Sequence, residues 1–95
     1  MTDNATMTIS DLATDIIKLA SEKKVMFVLA ESCTGGMITA ALTDIAGSSA
    51  VLDRGLVTYS NQAKQDLLGV TDDILASYGA VSAEVAIAMT NGALL

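Results

Sequence analysis

Apolar residues recur near the start of the chain at Ile9, Leu12, Ala13, Ile16, Ile17 and Ala20. Steps of three and four place them on one side of a helix, so the spacing predicts an amphipathic α-helix. Thr8 or Ser10 is available as its cap, and Lys23 and Lys24 put positive charge at the C-terminal end, where the helix dipole favours it. Residues 25–30, VMFVLA, then run apolar without alternation, the pattern of a strand buried on both faces. A second helix is expected through Ile38, Ala41, Leu42 and Ile45, closed by Gly47. Residues 51–59 read as a second strand, in which Gly55 marks a bulge or a close backbone approach. Three more helices follow. The first begins at Ser60 or Asn61 and stops at Gly69; the next is capped by Thr71, carries Ile74, Leu75 and Tyr78, and ends at Gly79. The last is capped by Ser82 and carries Val85, Ala86, Met89 and Ala93.

The order α-β-α-β-α-α-α is that of an α/β layer fold. No proline, repeat, low-complexity tract or linker interrupts it, so the 95 residues read as a single domain. Two strands are few for that fold, because an isolated two-stranded sheet is marginal in water. The apolar supply is large, at 52% of residues and a mean hydropathy of +0.52, and the chain stops on Ala93-Leu94-Leu95 inside a running helix. The pattern therefore expects an incomplete domain, finished by further chain or by a second copy in a homo-oligomer.

Charge and composition remove several functions. The net charge is −6, with only Lys18, Lys23, Lys24, Arg54 and Lys64 positive, which leaves little to neutralise nucleic-acid phosphates. One cysteine, Cys33, precludes an intramolecular disulfide, and with no histidine the usual Cys/His zinc sites cannot be built. Asp3 stands where a secretory leader would be basic, and no apolar run approaches the ~20 residues of a membrane span. A cytoplasmic protein without a membrane partner is the expectation, and the glycosylation pattern Asn4-Ala5-Thr6 carries no weight in one.

The absence of histidine also excludes Ser-His-Asp and Cys-His catalysis, so an activated hydroxyl needs another base. Lys18 sits beside Asp15 and Glu22 as a solvated pair, and Lys23 and Lys24 serve their helix end. Arg54 stays charged and cannot be a base; it reads as structural, pairing an acid or holding an anion. Lys64, in TYSNQAK, lies in the first turn of a helix, against the positive end of the dipole. It shares a face with Leu67 and Leu68, which draws it inward. Both effects favour the neutral amine, the form that accepts a proton; the plain alternative is a lysine snorkelling to solvent. Tyr59 offers a phenol to relay a proton, or is simply a core residue.

Between the first strand and the second helix stands AESCTGG, residues 30–36. It lacks the lysine of a Walker loop and fits neither GxGxxG nor GxSxG, and no S-x-x-K involves Ser32 or Ser60. What remains is a serine at a strand's end, before amides around residues 34–36 that can receive an oxyanion. Ser32, Cys33 and Thr34 compete as nucleophile; the thiol ionises most readily, but a free cysteine is commonly a small buried hydrophobe. Glu31 either orients a partner or faces water. An ordinary strand–turn–helix with a Ser/Thr cap is the local alternative.

AESCTGG, AGSSAVLDRGLVTYSNQAKQDLLGV and YGAVSAEVAIAM together resemble the CinA C-terminal domain, the nicotinamide-mononucleotide amidohydrolase family. The resemblance runs in one register from the first helix to Leu95, and AESCTGG with TYSNxAK about thirty residues later is specific where either alone is weak. It implies an α/β/α sandwich around a mixed sheet, represented here by its first two strands and about five helices, commonly assembled as an oligomer. It implies hydrolysis of the carboxamide of nicotinamide mononucleotide, a pyridine nucleotide, to nicotinate mononucleotide and ammonia, with neither a metal nor an organic cofactor. Ser32 would be the nucleophile, Lys64 its base and Tyr59 an assistant. Thr34, Gly35 and Gly36 would receive the amide oxygen, with Glu31 and Cys33 in the same substrate-contacting segment. Family members continue through later strands and a glycine-rich nucleotide-binding segment that the 95 residues do not contain, so a non-catalytic nucleotide-binding or interaction module is the alternative. Light scattering on the purified chain is expected to report more than one copy; a strictly monomeric, cooperatively folded chain would remove the oligomer expectation.

Overall fold

The computed structural model describes residues 7–95; Asp3 and the Asn4-Ala5-Thr6 pattern lie outside them. In chain order the elements are α1 (Ile9–Lys23), β1 (Phe27–Glu31), α2 (Met37–Thr43), β2 (Leu52–Val57), α3 (Asn61–Leu68), α4 (Asp72–Tyr78) and α5 (Ala83–Ala93), with a 3₁₀ turn at Ser48–Ala50 before β2. The two strands pair in parallel, with α2 as the crossover between them. The pairing opens with Phe27 N–H to Val51 O at 2.8 Å and closes with Thr58 N–H to Glu31 O at 2.8 Å. The chain forms two compact units, the first from residues up to Phe27 plus Met37–Arg54, the second from Val28–Gly36 plus Gly55–Leu95.

In the first unit, α1 packs on α2. Thr8 caps α1 in a full capping box: its hydroxyl accepts from Asp11 N–H, and Asp11 accepts from Thr8 N–H, each at 3.1 Å. Only Ala13, Ile17 and Ala20 of the expected stripe are buried; Ile9, Leu12 and Ile16 are exposed. Val25 and Met26 are exposed rather than part of a buried strand. The reason is the helix end. Lys24 takes a left-handed conformation, φ 55°, and Val25 N–H turns back to Ala20 O at 3.1 Å, so Val25 closes α1 before β1 starts.

The second unit holds the tighter core, of Leu68, Val70, Leu75, Val85 and Met89, with Ala30 and Leu56 packed against it. Serine and threonine caps start each of its helices: Ser60 accepts from Ala63 N–H at 3.0 Å, Thr71 from Ile74 N–H at 3.3 Å, and Ser82 from Val85 N–H at 3.2 Å. The helix α5 crosses the end of α3 so closely that a Cβ at Gly92 would lie 1.9 Å from Leu68 O. No local pattern foretold that approach. In an open helix Gly→Ala adds stability, about 1 kcal/mol; here the sign reverses. Gly92→Ala is expected to lower the unfolding free energy by about 3 kcal/mol in urea titration, and an equal or higher midpoint would show that the two helices are not in backbone contact.

Candidate active site

Every residue singled out in the two motifs belongs to the second unit. The strand β1 delivers Glu31 and ends there; Ser32 is half-buried, and Cys33 and Thr34 are exposed. Glu31 does not face water: it is 3% exposed, and its Oε1 accepts the Thr34 hydroxyl at 2.7 Å. Burial of a carboxylate requires such partners, and this one pins the turn across three residues. Gly35 N–H closes the same turn on Ser32 O at 3.0 Å. The two glycines then differ in their reasons. Gly35 is left-handed, φ +61°, in open space, whereas Gly36, φ +99°, also brings its backbone so near β2 that a Cβ would sit 3.3 Å from Val57 Cγ2. The Gly35 N–H is committed within the turn itself.

Lys64 is the other anchor. It is 1% exposed, so the snorkelling alternative fails. Helical side chains lean toward the N-terminus of their own helix, and Lys64, in the first turn of α3, leans past the cap. Its Nζ donates to Tyr59 O at 3.1 Å. The backbone of Lys64 is fixed as well, N–H to Ser60 O at 3.1 Å and carbonyl from Val70 N–H at 3.1 Å, the latter part of the left-handed close at Gly69. Of its expected apolar neighbours Leu68 is buried and Leu67 exposed. Tyr59 itself is 74% exposed, so its phenol is no core group and it is its carbonyl that meets the lysine. Arg54 is exposed and paired with its neighbour Asp53.

A pocket of about 280 Å³ opens beside the turn, lined by Glu31, Ser32, Cys33 and Thr34 on one side and by Ala80, Ser82, Met89 and Thr90, among others, on the other. Its hydroxyls are mostly committed. Thr34 donates to Glu31, Ser82 to Gly79 O at 2.9 Å, and Thr90 to Ala86 O at 2.9 Å. Among the described residues no hydrogen bond engages the Ser32 hydroxyl. Tyr59, Lys64, Gly35 and Gly36 do not line this pocket, and no hydrogen bond joins Lys64 Nζ to Ser32. The far wall, from residues 80–90, went unnoticed in the sequence; YGAVSAEVAIAM was the signal for it. No group of three or more His, Cys, Asp or Glu able to hold a metal occurs among the described residues.

The CinA C-terminal domain family matches residues 9–95. The chain belongs to that family. A protein of Enterobacter agglomerans named nicotinamide-nucleotide amidohydrolase PncC is 63% identical over 65 residues, covering 68% of this chain and 40% of that protein. The Escherichia coli K12 protein of the same name is 46% identical over 94 residues, 99% of this chain and 55% of that one. Among solved structures, the competence/damage inducible protein CihA of Agrobacterium tumefaciens superposes with a TM-score of 0.87 at 55% identity, over 90% of this chain and 52% of that chain. This CinA-domain chain thus spans about half the length of the Escherichia coli and Agrobacterium tumefaciens proteins, and it shares its α/β fold with the latter. No described helix is long and apolar enough to cross a membrane.

The Glu31–Thr34 bond gives the site its own test. Thr34→Val removes one hydrogen bond from a buried carboxylate and is expected to cost about 1–3 kcal/mol, while Thr34→Ser keeps it; equal stability of the two variants in denaturant would show that the bond does not hold the turn.

Proposed function

We propose that the chain carries the acyl-transfer centre of an amidohydrolase acting on the carboxamide of nicotinamide mononucleotide, with Ser32 as nucleophile and Lys64 as its base. The observation that carries this reading is the Ser32 hydroxyl, left uncommitted in a pocket whose other hydroxyls are bonded away. Thr34, its rival, is tied to Glu31. Cys33 lines the same pocket, and the family resemblance favours the serine beside it.

The reaction balances without a metal or organic cofactor. Lys64, as the free amine, turns from Tyr59 O and takes the Ser32 proton while Oγ attacks the carboxamide carbon. The Thr34 and Gly36 amides hold the oxyanion that forms. As the C–N bond breaks, Lys64 or the Tyr59 phenol protonates the nitrogen, and ammonia leaves. Water then adds to the Ser32 ester by the same route reversed, releasing nicotinate mononucleotide and restoring both side chains. Catalytic hydrogen bonds are often long or unformed before substrate binds, which accommodates the resting bond of Lys64 to Tyr59 O. A pyridine nucleotide is the partner in this reading, the cytoplasm the place of action and a homo-oligomer the working form. The exposed apolar side chains Ile9, Leu12, Ile16 and Leu19 on α1 support the last of these.

Incubation with nicotinamide mononucleotide is expected to release ammonia. Ser32→Ala should abolish release, and Lys64→Ala should lower the rate by roughly 10²–10⁴-fold, the usual span for loss of a positioned base. Release that persists in both variants removes the serine–lysine assignment. Saturable binding with no release from the unaltered chain would instead favour a binding module.

A further inference from the structure

The side chain of Thr58 is fully buried, 0% exposed, and its Oγ1 has no hydrogen-bond partner. Buried hydroxyls are nearly always paired, and an orphan weakens the fold. Valine has the same shape and no such defect, so packing alone gives no reason for threonine here. The position is informative. Thr58 N–H holds Glu31 O at the end of β1, directly before Ser32, and the next residue, Tyr59, supplies the carbonyl that holds Lys64 Nζ. Successive side chains of an extended segment point to opposite sides. Tyr59 is exposed and Thr58 is buried, so the hydroxyl is turned away from solvent; the Lys64 side chain is buried too.

Lys64 has the complementary deficit. A neutral amine has two N–H groups; after taking a proton it has three donors and no acceptor capacity. Among the described residues Tyr59 O alone receives it, and its surroundings are closed to water at 1% exposure. We propose that Thr58 is a positioning residue whose hydroxyl oxygen is the acceptor reserved for the Lys64 ammonium once that amine has taken the Ser32 proton. The inference rests on the serine–lysine reading above. The proton passes from Ser32 Oγ to Lys64 Nζ, and Thr58 Oγ1 then accepts one of the three N–H bonds without changing its own protonation. Thr58 thereby trades resting stability for stabilisation of the charged intermediate.

Thr58→Val and Thr58→Ser separate this role from a structural one. Thr58→Val is expected to melt about 5 °C higher than the unaltered chain, yet to hydrolyse nicotinamide mononucleotide roughly 10–100-fold more slowly in kcat at unchanged KM. Thr58→Ser should restore kcat. A second readout needs no turnover: the ¹⁵Nζ signal of Lys64 in lysine-labelled protein, assigned by its loss in Lys64→Arg. The signal is expected to move in Thr58→Val and to return in Thr58→Ser. An unmoved signal overturns the proposal whether or not the chain hydrolyses substrate. A lower melting temperature in Thr58→Val also overturns it, by revealing a structural partner for the hydroxyl. A moved signal in a chain that releases no ammonia would uphold the Thr58–Lys64 contact while the amidohydrolase reading fell.

Discussion

The hydrogen bond from Lys64 Nζ to Tyr59 O, 3.1 Å long and closed off from solvent, is the constraint around which the second unit is arranged. A lysine amine is costly to bury without a partner. The cost is met because α3 starts immediately after β2, so a side chain leaning toward its helix N-terminus finds a strand-end carbonyl waiting. Ser60, between the two, caps the helix and accepts the Lys64 N–H on its own carbonyl. Strand end, cap and first helical turn therefore form one fixed piece, and the amine is its buried tip.

A second fixed piece faces the pocket. Glu31 ends β1 in the interior and draws the Thr34 hydroxyl to it, which bends residues 32–34 into a closed turn and leaves Ser32 as the hydroxyl without a bond. Two left-handed glycines then carry the chain past Val57 into α2. Of the alternatives at AESCTGG, nucleophile seat or plain capped turn, the structure shows a turn closed by the Thr34 hydroxyl on Glu31 with Ser32 as its spare hydroxyl. Thr58 joins the pieces, since its N–H holds the end of β1 and its peptide neighbour holds Lys64.

What the sequence revealed was what local chemistry dictates. Thr8, Ser60, Thr71 and Ser82 announced the helix starts because a side-chain oxygen two or three residues before free amides is a local arrangement. Gly69 and Gly79 announced two of the ends for the same reason. Lys24 ends α1 with a positive φ and no glycine to betray it, and so the first strand was placed two residues early. Gly92 against Leu68, the orphan hydroxyl of Thr58 and the burial of Glu31 depend on residues distant in the chain, and no periodicity encodes them. Motif and spacing singled out Ser32 and Lys64 as candidates, but not the carbonyl that holds the lysine or the pocket wall contributed by residues 80–90.

The claim that matters most is that Ser32 forms the covalent link to substrate, and rapid-quench intact-mass spectrometry with nicotinamide mononucleotide addresses it directly. The account predicts an early adduct equal to the substrate less ammonia, mapped by peptide fragmentation to Ser32 and lengthened in lifetime when Lys64 is replaced. Ammonia release with no adduct at any time point, or an adduct on Cys33, would contradict it.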